Sequence, residues 1–160
     1  MPNNVGIAIY AKFDGVDGES TVTDHEKWCV VKDVSHNIEQ PTASTTGSGE
    51  VTSGAPKIGD FTLTKYLDVA SPTLHQLACT GKKLPKVTVD LMRAFGDKMD
   101  KNFEVVITDV IISQVSLSTN GNDDRPTETV ACRGGTINWT YSNGKGNTAA
   151  GYDIAAGKKK

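Results

Sequence analysis

The chain has 160 residues, 37% hydrophobic and 22% charged, with a formal net charge of −2. That length suits a single domain over residues 1–160 with one core. Balanced charge excludes broad attraction to nucleic acid or anionic lipid. No stretch approaches the roughly 18 apolar residues of a membrane helix, so membrane insertion is not expected either. The polar start, Met1 to Val5, lacks a basic segment followed by an apolar block, so no secretory signal peptide is expected. The protein is then expected to stay in the cytoplasm unless a machine exports it folded.

The first predicted strand carries Val5, Ile7 and Ile9 on alternate positions. Asp14-Gly15-Val16-Asp17-Gly18 is turn chemistry. Trp28 to Val34 is a second β-branched run. Pro41 to Pro56 is then almost all Ser, Thr, Gly and Ala, with Val51 its one sizeable apolar residue. Such a segment buries no core of its own, so it is expected to be an extended loop or an arm ordered by a partner.

Phe61 and Leu63 alternate with Thr62 and Thr64, which predicts a half-buried strand. The period then changes. Ser71-Pro72 predicts a helix start, with Ser as cap and Pro in the first turn. Leu74, Leu77 and Ala78 share a helical face, and Gly81 suits the stop, so one short helix is expected over about 71–80.

Val87, Val89 and Leu91 mark the next strand. The long run Phe103 to Leu117 places its apolar residues on odd numbers (Phe103, Val105, Ile107), then even (Val110, Ile112), then odd again (Val115, Leu117). Each change of phase demands a bulge or bend, as in strands that turn the corner of a barrel or sandwich. Thr127 to Val130 and Ile137 to Tyr141 predict two further strands, interrupted by Gly134-Gly135. The sum, about eight strands and one short helix, is a mainly β fold: a compact β-barrel or two-sheet sandwich. The terminal Lys158-Lys159-Lys160 reads as a solvated tail.

Chemistry is sparse. The histidines His25, His36 and His75 show no metal-ligand spacing, and no catalytic, cofactor or metal site is expected. Ser35 and His36 are adjacent on a strand and point to opposite faces, which argues against a nucleophile pair. Asp14, Asp17 and Glu19 lack the alternating ligands of a calcium loop. Three cysteines at wide spacing form no disulfide framework. Cys29 and Cys79 read as buried small hydrophobes. Cys132 beside Arg133 is also read as structural, although a neighbouring cation can lower a thiol pKa. The aromatic residues read as core, with a sugar-binding platform as the alternative.

Several segments in order resemble one family. Val16 to Ser20 resembles its DGES-type turn, and Val34 to Pro41 its SHxIxQP stretch. Phe61 to Asp68 with Ser71 to Leu74 resembles its TKYxDxxSPxL strand and helix. Asp124 to Glu128 resembles its DRPTE-type loop, Trp139 to Tyr141 its WTY strand, and Gly151 to Ile154 its GYD ending. The family is that of haemolysin-coregulated proteins (Hcp) of type VI secretion. The resemblance implies a structural, non-enzymatic homo-hexameric ring. Rings would stack into an inner tube, driven out by a sheath, with a spike partner at the tip and effector cargo in the lumen. It also implies a protein cytoplasmic before firing and then secreted without a signal peptide.

By the same resemblance, ring stacking is assigned to the extended loop, at Thr42, Ser44, Thr45, Thr46, Ser48, Glu50, Val51, Thr52 and Ser53. The lumen is assigned to the polar residues Ser35 and Asn37. Few apolar anchors predict weak, reversible stacking. The alternative is a monomeric β-sandwich binding carbohydrate or protein, with aromatic side chains clustered on one exposed face.

Overall fold

The computed structural model describes residues 6–160; the expected strand position at Val5 lies outside them. The first strand, β1 (Ile7–Phe13), runs to the Asp14 turn, where Val16 bridges back to Phe13. A loop leads to β2 (Cys29–Ser35). Two short pairs follow, β3 (Ile38–Glu39) with β6 (Lys57–Ile58) and β4 (Thr42–Ser44) with β5 (Val51–Ser53). The chain continues through β7 (Phe61–Tyr66), α1 (Ser71–Thr80), β8 (Leu84–Phe95) and the long β9 (Lys98–Leu117). It ends with β10 (Thr127–Arg133), β11 (Thr136–Ser142), β12 (Asn147–Asp153) and β13 (Lys158–Lys159). The expected eight strands are, among the described residues, thirteen, nine of them in one sheet.

That sheet closes on itself. Its order is β10-β7-β2-β1-β8-β9-β11-β12-β13, and β10 also pairs with β9. Strands β1, β2, β7, β10, β9 and β8 thus form a closed antiparallel barrel, with β11, β12 and β13 extending from β9.

Two strands turn the corners. Strand β2 pairs with β1 from Cys29 to Val31 and with β7 from Val31 to Ser35, the β7 ladder shifting register between Val31 and Asp33. Strand β9 pairs with β11 over Phe103 to Thr108 and with β10 over Ile111 to Leu117. The phase changes read from the sequence fall at these bends. Asp109 adopts φ 54° between Ile107 and Val110, a left-handed conformation that flips the side-chain parity. The second register shift lies opposite the Ala131–Cys132 step, at Ser113. Gly134 and Gly135 face the first bend, and the Gly135 N–H donates to the Thr108 carbonyl at 2.8 Å. A Cβ on Gly134 would overlap Ile107 Cγ2 and come within 2.9 Å of that carbonyl. Glycine is what lets β10 and β11 bend with β9.

The core lies inside the barrel: Ala11, Phe13, Cys29, Val31, Phe61, Leu63, Val87, Val89, Val105, Ile107, Ile112, Val130, Cys132 and Ile137. Leu74 and Leu77 of α1 enter it from outside, and burying such a leucine stabilises by about 1.5–3 kcal/mol. Gly81 ends α1 in the left-handed conformation at φ 69° and donates to the Leu77 carbonyl, as expected. Ser71 does not cap the helix. The N-cap is Ala70, without a side-chain cap, and the Ser71 hydroxyl is engaged elsewhere.

Further expectations are corrected. Cys79 is exposed, because two positions beyond Leu77 is the other side of a helix. Leu117 is exposed at the end of β9. The C-terminal lysines are exposed but not a free tail: Lys158 and Lys159 pair with Asp153 and Tyr152.

Candidate functional site

The segment expected as an extended loop is a built β-arm. At its base Ile38 pairs with Ile58, and the Gly59 N–H donates to the Asn37 carbonyl at 2.9 Å. Farther out, Thr42 pairs with Ser53 and Ser44 with Val51. The Gly54 N–H donates to the Pro41 carbonyl, and the tip closes with the Thr45 N–H donating to the Glu50 carbonyl at 2.7 Å. Gly47 (φ 101°) and Gly49 (φ 71°) supply the turn. All residues from Thr42 to Ser53 are exposed, Val51 at 63%. The site residues expected here therefore share one hairpin: Thr42 and Ser44 on β4, Thr45, Thr46, Ser48 and Glu50 at the tip, Val51, Thr52 and Ser53 on β5.

The arm's root is clamped to the barrel. His36 Nε2 donates to the Gly59 carbonyl at 3.1 Å, and its ring packs on Phe61. Burial lowers the His36 pKa, partly offset by that carbonyl and by Asp60. Asp60 accepts from the Ser113 hydroxyl at 2.6 Å and from Arg133 Nε at 2.7 Å. Burial would raise the Asp60 pKa, but these two partners hold it below the ordinary range. Ser35 stands opposite Thr62 at the end of β2, and both Ser35 and Asn37 are exposed where the arm leaves the barrel.

Two polar clusters were not anticipated. Lys65 is wholly buried. Its ammonium donates to Glu128 Oε2 at 2.6 Å, to Asp68 Oδ1 at 2.9 Å and to the Tyr66 carbonyl at 3.0 Å. The Ser71 hydroxyl donates to Glu128 Oε2 at 2.5 Å and accepts from the Asp68 N–H at 3.0 Å. Glu128 Oε1 has no hydrogen-bond partner, with His75 Nδ1 3.5 Å away. Burial works to lower the Lys65 pKa, but Glu128 and Asp68 outweigh it and the net shift is upward. The cluster ties β7, α1 and β10 together. Strand parity carried a signal, since Lys65 follows Phe61 and Leu63 on the inward positions and Glu128 precedes Val130 and Cys132 on theirs.

The second cluster lies on the outer face, under the loop before β2. His25 Nε2 is 2.7 Å from Asp90 Oδ2, with Tyr10 stacked on the imidazole and Trp28 edge-on. Lys101 lies 3.5 Å from Asp90 and 2.8 Å from Glu104. Burial raises the Asp90 pKa against the pull of His25 and Lys101. No local pattern marks this contact, which joins positions 65 residues apart.

Burial pushes the Cys29 and Cys132 thiols up to about 12, far from the thiolate a nucleophile requires. Arg133 turns to Asp60 rather than to Cys132. Among the described residues no group of three His, Cys, Asp or Glu side chains could hold a metal ion.

The molecule is thus a closed β-barrel with one clamped helix and a projecting arm. The family model described as "Type VI secretion system effector, Hcp" matches residues 10–141. The chain belongs to the Hcp family, the tube proteins of type VI secretion. Protein hcp1 of Pseudomonas aeruginosa is 27% identical over 92 residues, 58% of this chain and 57% of that protein, so the match spans little more than half the curated relative's length. The crystal structure of Hcp1 from Salmonella typhimurium superimposes with a TM-score of 0.83 at 28% identity, covering 97% of this chain and 99% of that one. A structure described as a type six secretion system protein gives a TM-score of 0.88 at 27% identity, covering 96% and 99%.

Proposed function

We propose that the protein assembles as a homo-hexameric ring, and that rings stack into the inner tube of a type VI secretion machine. The observation that carries this reading is the arm. It is a defined hairpin, yet no strand of it contacts a strand of the barrel. An isolated two-stranded hairpin is at best marginally stable in water, so its exposed length calls for another subunit. Thr42, Ser44, Thr45, Thr46, Ser48, Glu50, Val51, Thr52 and Ser53 are the stacking residues of this reading. Ser35 and Asn37, exposed beside the arm's root, are its lumen-facing residues.

The partners follow from the family: a contractile sheath around the tube, a spike at its tip and effector cargo within. The protein would be cytoplasmic until the machine fires and extracellular afterwards. Its role is structural rather than enzymatic.

Light scattering on a sizing column tests the ring. A mass near six times the 17.0 kDa chain is expected in dilute neutral buffer. A monomer persisting at high concentration overturns the ring and favours a binding module. Replacing the tip, residues 45–50, with a two-residue Asn-Gly turn should keep the ring mass and abolish association of rings. Unchanged ring association would remove the arm from stacking.

A further inference from the structure

We propose that the arm hairpin of one copy docks in an apolar slot between β1 and β2 of a second copy. This rests on the ring-and-tube reading and names the receptor for the arm. The slot follows from the corner in β2. The β1–β2 ladder ends at Ile9 opposite Val31, and beyond Val31, which also pairs with Lys65, β2 is paired with β7 alone. Among the described residues, Ile7 and Ala8 continue β1 with a partner on the β8 side alone. The wall therefore opens into a cleft of about 400 Å³ whose lining includes Ile7, Ala8, Ile9, Tyr10, Val30 and Lys32. It offers apolar side chains together with strand backbone unpaired on one side, which is what an added β-strand requires.

The arm matches both features. Each of its strands pairs on one side only. Val51 is its one large apolar side chain between Pro41 and Pro56 and is 63% exposed. Glu50 adjoins Val51, and Lys32 stands at the rim of the slot. Asp123, Asp124 and Arg125 lie beyond Lys32 in the neighbouring cleft, a mixed set of charges, whereas Lys32 is the charged residue that lines the slot itself. Every copy carries one arm and one slot on different elements. The contact is therefore heterologous and propagates from copy to copy.

Two measurements on the full chain test this. In a Cys79→Ser background, which removes the exposed native thiol, Val51→Cys is combined with Ala8→Cys and oxidised at a concentration where rings associate. A ladder of disulfide-linked multimers is expected, while each single-cysteine variant stops at dimers or monomers, since only close Cα pairs can be bridged. Independently, K32E should weaken ring association about two- to fivefold, and adding E50K should restore it. Rings of normal mass without the ladder, or without the charge-swap rescue, overturn the proposed slot and leave the tube reading standing. Absence of rings at any concentration overturns that reading and the slot with it.

Discussion

Replacing Lys65 with Met should be the most damaging single change outside the hydrophobic core. The side chain is 0% exposed and sits within 2.6 Å of Glu128 and 2.9 Å of Asp68, whose side chains are 0% and 4% exposed. Met fills similar volume, so the packing loss is small. The electrostatic loss is not. Glu128 would keep only the Ser71 hydroxyl, and its Oε1 already has no partner. Removing one member of a buried ion pair costs about 3–5 kcal/mol, because the other charge stays uncompensated. For a chain of this size that corresponds to a fall in Tm of roughly 6–20 °C. Glu128→Gln should cost less, about 1–3 kcal/mol, since Lys65 retains Asp68 and the Tyr66 carbonyl.

The assay is urea unfolding at fixed protein concentration, followed by fluorescence of Trp28 and Trp139. The order K65M worse than E128Q is the discriminating result, and a K65M loss below about 1 kcal/mol would refute a buried, charged Lys65. Linkage gives a second readout. The Lys65 pKa is raised above its ordinary value of 10.5. The stability it contributes is therefore fully present below 10.5 and lost as pH rises through the higher folded value. Wild type should lose stability across that alkaline window, and K65M should lack that component.

Gly134→Ala should destabilise by about 1–3 kcal/mol through overpacking against Ile107 and the Thr108 carbonyl, whereas Gly146→Ala, with nothing within 4 Å, should be nearly silent in the same melt. A thiol reagent should modify one cysteine per native chain rapidly, Cys79, and reach Cys29 and Cys132 only on unfolding; three fast thiols would contradict the core assignment. Asp60→Asn should flatten the acid limb of stability. The Asp60 pKa is held below its ordinary 3.8, so its contribution is present above 3.8 and lost as pH falls through the folded value. An unchanged acid limb in urea melts between pH 5 and 2 would mean the Arg133–Asp60–Ser113 clamp does not form.

The barrel was legible where hydrophobic phase is strict. The two phase changes in Phe103 to Leu117 located the Asp109 and Ser113 bends, because period 2 tolerates no other explanation. The helix was legible from Ser71-Pro72 and Gly81, although the capping role given to Ser71 belonged to none of its atoms. The arm was legible as an anomaly of composition but not as a hairpin, since a Ser/Thr/Gly run has no alternation to read. Cys79 was misread from its neighbours Leu77 and Ala78, where helical spacing should have decided. Lys65 and Glu128 sit at inward parity on their strands, but parity alone does not say that two residues 63 positions apart meet. His25 and Asp90 lay beyond reach, since tertiary proximity alone pairs a loop residue with a strand residue.

The distribution of open edges bears on how the molecule can assemble. A closed barrel removes the edges through which a β-protein associates indiscriminately. Apart from the short opening between β1 and β2 beside Ile7 and Ala8, what remains open among the described residues lies on projecting parts. One is the arm. Another is the outer side of Asn147 to Ala150 on β12, since β13 covers Tyr152 and Asp153 and the Lys160 N–H donates to the Gly151 carbonyl. Neither Thr42–Ser53 of the arm, which lies between Pro41 and Pro56, nor Asn147–Ala150 carries Pro, and Glu50 is the only charge in these two stretches. These are edges without the usual protections against pairing. A subunit whose barrel is closed except at one short opening, and whose other unprotected strands lie on extensions, can add copies in a fixed geometry without aggregating through its core. On this reasoning Thr148→Pro, placed on the uncovered stretch of β12, should leave the arm's cross-link to its receptor intact while weakening association elsewhere. Loss of the cross-link in that variant, with the thermal melt unchanged, would show that the two open edges act as one surface.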